Sequence, residues 1–75
     1  MNKNTFFVVE LKNDITGKVF AYAEKVNNCV NLFYHFSKKK GYSYVSINSC
    51  DTWNEAQKIA KFWNDAYKKN GIYDK

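Results

Sequence analysis

The sequence predicts an α+β domain in which a small antiparallel sheet packs against one long C-terminal helix. Three observations carry this. Thr5 to Lys12 and Lys18 to Val26 are rich in β-branched and aromatic residues and flank a short polar turn. Tyr42 to Asn48 is a third such run. From Thr52 to Asn70 the apolar residues switch to helical spacing.

The first two runs read as a hairpin. Between them lies Asp14-Ile15-Thr16-Gly17, a loop built on a type I turn that ends on glycine. Such a loop needs a left-handed residue at its end, which glycine adopts without strain. The expected register sets Asn13 opposite Lys18. Phe7, Val9 and Leu11 then share a face with Phe20 and Tyr22, while Glu10, Lys12, Ala21, Ala23 and Lys25 share the other.

Asn27 to Lys40 fits two patterns. Cys29, Leu32, Phe33 and Phe36 follow helical spacing, and Val30, Leu32, Tyr34 and Phe36 also alternate as in a strand. Asn27, Asn28 and Asn31 offer caps. Ser37-Lys38-Lys39-Lys40-Gly41 resembles a helix end, with cations in the last turn and then glycine. A short helix is the preferred reading. The element order is then β-β-α-β-α, and β-β-β-β-α is the alternative; either gives a meander-type sheet under a helix.

In the third strand strict alternation sets Val45 and Ile47 on one face and Tyr42, Tyr44 and Ser46 on the other. The final helix has the clearest pattern. Thr52 to Glu55 spells a capping box. Trp53, Ala56, Ile59, Ala60, Trp63, Ala66 and Tyr67 form its apolar face, centred on Trp63, and Gly71 ends it. Asn54, Lys58, Lys61, Asp65, Lys68 and Lys69 form the opposite face. Ile72 and Tyr73 are expected to fold back onto the core.

Residues 1–75 are read as a single domain, a size at which core stability is marginal. Aromatic residues are 19% of the chain and compensate for the short length. Cys29 and Cys50 form no disulfide framework and match no zinc spacing, so both are read as reduced, buried thiols. Met1 to Thr5 shows no apolar leader, and no apolar run is long enough to span a bilayer. These features lead to the expectation of a cytoplasmic protein with no membrane, metal or cofactor. Abundant Asn, Lys, Tyr and Ile without proline suggest AT-rich coding DNA, as in a low-GC bacterium or its phage.

The inventory for catalysis is poor. His35 is the sole imidazole, and on a helix its near neighbours include no carboxylate. Cys29 lies six residues before it, so the two do not share a helix face. Asp14, Asp51 and Glu55 are explained by the turn and the helix cap. The three glycines are isolated, so there is no phosphate-cradling loop. The expectation is that no residue is catalytic and the chain is not an enzyme.

Charge points toward binding. The formal net charge is +5, and all twelve basic residues are lysine. Without arginine, bidentate reading of guanine or phosphate is missing, which leaves nonspecific phosphate contact or plain solubility. Residues 36–75 hold eight lysines and four acids; residues 1–35 hold four lysines and three acids. The expected function is a small noncatalytic binding module. Its candidate nucleic-acid surface is Lys58, Lys61, Lys68 and Lys69 on the last helix, with Lys38, Lys39 and Lys40 in the loop. Tyr42 and Tyr44, two apart on a strand, are candidates for base stacking or for an interface. The competing expectation is a protein-interaction module. Examples are an inhibitor of a host nucleic-acid enzyme encoded by a phage or mobile element, or a small protein that homo-oligomerises through exposed aromatics.

Overall fold

The computed structural model describes residues 4–27, 29–37 and 39–74. It contains β1 (Asn4–Asn13), β2 (Val19–Asn27), a single helical turn α1 (Leu32–His35), β3 (Tyr42–Cys50) and α2 (Trp53–Lys69). The class is α+β and the element order is β-β-α-β-α. The expectations about Met1 to Lys3, Asn28 and Lys38 fall outside the described residues.

The first hairpin forms in the expected register. Asn13 N–H donates to the Lys18 carbonyl at 2.8 Å, and Gly17 N–H donates to the Asn13 carbonyl at 2.8 Å. Gly17 has φ 75°, where a side chain would be strained. The Asn13 side chain braces the turn by accepting from the amides of Ile15 and Thr16.

The strand order corrects the meander expectation. The sheet runs β2-β1-β3, so β1 is central and antiparallel to both neighbours. The most apolar run, Phe6-Phe7-Val8-Val9, thereby occupies the strand that is covered on both faces. Val8 and Val9 are fully buried. The chain must cross from β2 to the far side of β1, and this crossover carries α1.

Two cores result. One face buries Phe7, Val9, Leu11 and Val26, with Phe20, Tyr22, Phe36, Tyr42 and Tyr44 packed on them. The other buries Val8 and Ala21 against Ala56 and Ala60 of α2, flanked by Phe6, Ile59, Trp63 and Tyr67. The alanines bring the helix close to the sheet while the large rings fill the volume beside them. α2 begins as expected: the Thr52 hydroxyl accepts from Glu55 N–H at 3.1 Å. It ends in a Schellman motif, with Ile72 N–H on the Tyr67 carbonyl at 2.9 Å, Gly71 N–H on that of Lys68 at 3.2 Å, and Gly71 at φ 74°.

Three local expectations are overturned. The middle helix is one turn capped by Asn31, and of the predicted stripe only Phe36 packs inward. Cys29, Leu32 and Phe33 are exposed, because four helical residues present no continuous face to the sheet. Gly41 stands at the turn into β3 rather than at the end of this helix. In β3 a bulge opposite Glu10/Leu11 breaks the alternation. Tyr44 pairs with Leu11 and Ile47 with Val9, so Tyr42, Tyr44 and Ile47 share the crossover face, while Ser46 pairs with Glu10.

Candidate interaction surfaces

The two edges of the sheet are built differently. The Asn13–Lys18 bond fixes the alternation of the β1–β2 ladder, which turns the peptide groups of Val19, Ala21, Ala23 and Lys25 outward. The Val19 peptide is taken by the C-terminal tail: its N–H donates to the Ile72 carbonyl and its carbonyl accepts from Asp74 N–H, both at 2.8 Å. Ala21 is taken by Asn64 of α2. Its N–H donates to Asn64 Oδ1 at 2.7 Å, and its carbonyl accepts from Asn64 Nδ2 at 2.8 Å. The side-chain amide acts as a one-residue strand that closes this part of the β2 edge.

Among the described residues, the β3 edge has no such cover. The same alternation turns the peptide groups of Ile47 and Ser49 away from β1. Along this edge Val45, Ile47, Asn48 and Ser49 are all exposed. β3 carries no charge and no proline, the usual blockers of an open edge. Beside it lies an open apolar cleft of about 730 Å³ formed by Leu32, Phe33, Tyr34, Phe36, Ser37 and Ile47. Phe33 is 84% exposed and Tyr34 74%. The two rings meet edge to face at 6.0 Å.

The predicted helix lysines lie elsewhere. Lys58, Lys61, Lys68 and Lys69 are exposed on the outer face of α2. Lys61 pairs with Asp65 at 3.0 Å, and Lys68 sits over the Tyr73 ring at 4.9 Å. Lys39 and Lys40 are exposed in the crossover, and Lys39 borders a pocket with Phe20, Tyr22 and Tyr42. Tyr42 and Tyr44 pack on the opposite side of the sheet from α2: Tyr42 against Phe20 at 5.9 Å and Tyr44 against Phe36 at 6.0 Å. The helix lysines and these tyrosines therefore form no continuous surface.

Two polar clusters escape the sequence reading because they join distant residues. His35 Nε2 contacts Glu24 Oε2 and fastens the crossover to β2. Glu24 also accepts from Tyr22, and burial first, then this bond, raises the Tyr22 phenol above its usual pKa; burial likewise raises Tyr44. On the other face Glu10 accepts from Ser46 Oγ at 2.8 Å and from the Tyr67 hydroxyl. Tyr67 is raised by burial and then by that bond. The Asn64–Ala21 pair is missed as well, although a polar residue between Trp63 and Tyr67, within the inward arc of the helix, is a signal that could have found it.

Cys50 is half-buried and its thiol is pushed up by burial, with Glu55 and Asp51 adding to the shift; Cys29 is exposed, contrary to expectation. Among the described residues, no three His, Cys, Asp or Glu side chains gather as metal ligands, and no helix is long and apolar enough to cross a membrane. No known protein family, curated protein or solved structure matches the chain.

Proposed function

We propose that the chain is a small noncatalytic protein-interaction module of the cytoplasm that receives an extended segment of a protein partner at β3. The observation that carries this reading is the uncovered β3 edge lying beside the cleft of Leu32, Phe33, Tyr34 and Ile47. Strand addition uses main-chain hydrogen bonds for affinity and neighbouring pockets for side-chain selection, and both parts are present here.

The charge distribution supports this choice over nucleic acid. Lysine is missing from residues 26–37 and 41–57, the two stretches that supply the crossover turn, the cleft and β3. Depletion of charge at the centre of a contact patch marks protein interfaces. The helix lysines stand on the other layer of the domain, two of them already engaged by Asp65 and Tyr73.

The test is a pair of titrations. Peptides of alternating apolar residues are expected to shift the amide resonances of 45–50 and of 32–36, and Ile47→Lys is expected to abolish the effect. Single- and double-stranded oligonucleotides are expected to show no binding at ~100 mM salt. Oligonucleotide binding that weakens in the Lys61→Glu/Lys68→Glu variant, with a log–log salt slope near −3 for ~4 phosphate contacts, would instead establish the lysine face as the functional surface.

A further inference from the structure

We infer that the partner strand is β3 of a second copy, so that two chains join edge to edge into one six-stranded sheet. This rests on the β3-edge reading above and names its occupant.

The geometry favours self-pairing. Antiparallel pairing of two identical edge strands generates a twofold axis perpendicular to the sheet, an isologous contact that closes on itself. With Ile47 opposite Ile47 of the second copy, the outward peptide groups of the two residues bond to each other. Ile47 lies on the crossover face. The two isoleucines therefore meet beneath the two clefts, and Leu32, Phe33 and Tyr34 from both copies are brought together over them. Both α2 helices lie on the other face, held toward the β2 edges by their Asn64–Ala21 bonds. A chain of charge +5 repels its copy. Here that repulsion is least where contact occurs, because β3 and α1 contain no lysine.

The area is sufficient. A fully exposed aromatic presents ~150–250 Å². Phe33 and Tyr34 at 84% and 74% exposure, together with Leu32 and Ile47, leave a patch on the order of 500 Å². Two copies then cover roughly 1,000 Å², the least a biological interface should clear and below the ~1,200 Å² at which stable specific ones begin. The self-association is accordingly weak and visible only at high concentration.

The experiment is sedimentation equilibrium from ~1 to ~500 μM, a range chosen for an interface of this size, combined with amide exchange of Ile47 and Ser49. The expected result is a mass rising toward twice the 8.8 kDa of one chain, with both amides becoming protected over the same range. Ile47→Lys sets two like charges directly opposite each other, and Phe33→Asp introduces charge into the patch at a fully accessible site. Each is expected to weaken dimerisation by ~10-fold or more while leaving the melting of the dilute monomer in place. A chain that stays monomeric at ~500 μM overturns self-pairing, as does a dimer whose Ile47 and Ser49 amides exchange freely. A monomer that still takes an extended peptide at β3 preserves the interaction function, whereas one that takes neither peptide nor copy removes both.

Discussion

Replacing Asn64 by leucine removes the amide that closes the β2 edge at Ala21. Two hydrogen bonds are lost, 2.7 Å from Ala21 N–H and 2.8 Å to its carbonyl. Each contributes about 0.5–1.5 kcal/mol net, so the pair contributes ~1–3 kcal/mol. Asn64 is half-buried, but Ala21 is only 3% exposed, so its orphaned peptide group stays short of water and the loss should fall near ~2–3 kcal/mol. In a domain of this size that lowers Tm by roughly 8–24 °C. Urea unfolding followed by the fluorescence of Trp53 and Trp63, which pack at the α2–sheet boundary, measures it. Asn64→Asp separates the two bonds: it can still accept from Ala21 N–H but faces the carbonyl with a carboxylate, so it should recover no more than half of the loss. The Ala21 amide should exchange faster in Asn64→Leu. A leucine variant within ~0.5 kcal/mol of wild type, with Ala21 still protected, would refute the edge-closing role.

The core predicts that Trp63→Ala costs ~3 kcal/mol, at the low end for a lost tryptophan because the ring is only half-buried against Ala56 and Ala60; urea unfolding reads it directly. Tyr67→Phe deletes the hydroxyl bond to Glu10 and should lower stability by ~1–2 kcal/mol in the same assay. The phenols of Tyr22, Tyr44 and Tyr67 have folded-state pKa values above their ordinary 10.0. Their contribution to stability is complete below pH 10.0 and is lost as pH rises beyond it, so alkaline unfolding monitored by tyrosinate absorbance should begin above that point and shift in Tyr67→Phe. Thiol titration should find two groups per denatured chain; in the native protein the exposed Cys29 should react first and Cys50 lag, since its thiolate is disfavoured.

The sequence was most legible where structure is local. The β1–β2 register follows from a four-residue loop ending on Gly17, and the faces it assigns to Phe7, Val9 and Leu11 are those of the core. α2 announces itself through Thr52, the spacing of Ala56, Ala60 and Trp63, and Gly71. What could not be read depends on distant partners. Whether β3 pairs with β2 or returns to β1 rests on contacts such as Phe6 with Cys50, which no local pattern encodes. The bulge in β3 puts Ile47 on the same face as Tyr42 and Tyr44, where strict alternation sets it on the opposite one. The segment around Leu32 and Phe33 carries helical spacing, yet it spends that pattern on a single turn whose apolar side chains stay in solvent. An amphipathic stripe is informative about burial only when an element is long enough to lay it against something.

The contrast between the two sheet edges supports assigning the contact surface to β3. An open edge invites unwanted pairing, and lysine is a common blocker. With twelve lysines in the chain, blocking residues are plentiful, and β2 carries Lys25 in addition to the cover from Asn64 and the C-terminal tail. Among the described residues, β3 has only the bulge opposite Glu10/Leu11, which interrupts its ladder and leaves Ser46 to Cys50 uncharged and near the exposed Phe33 and Tyr34. Poor general solubility does not explain this, because the outer face of α2 is densely charged. A chain that protects one edge with three separate devices and the other with a single bulge fits a β3 edge used for pairing, and the symmetric dimer is the pairing that requires no second protein.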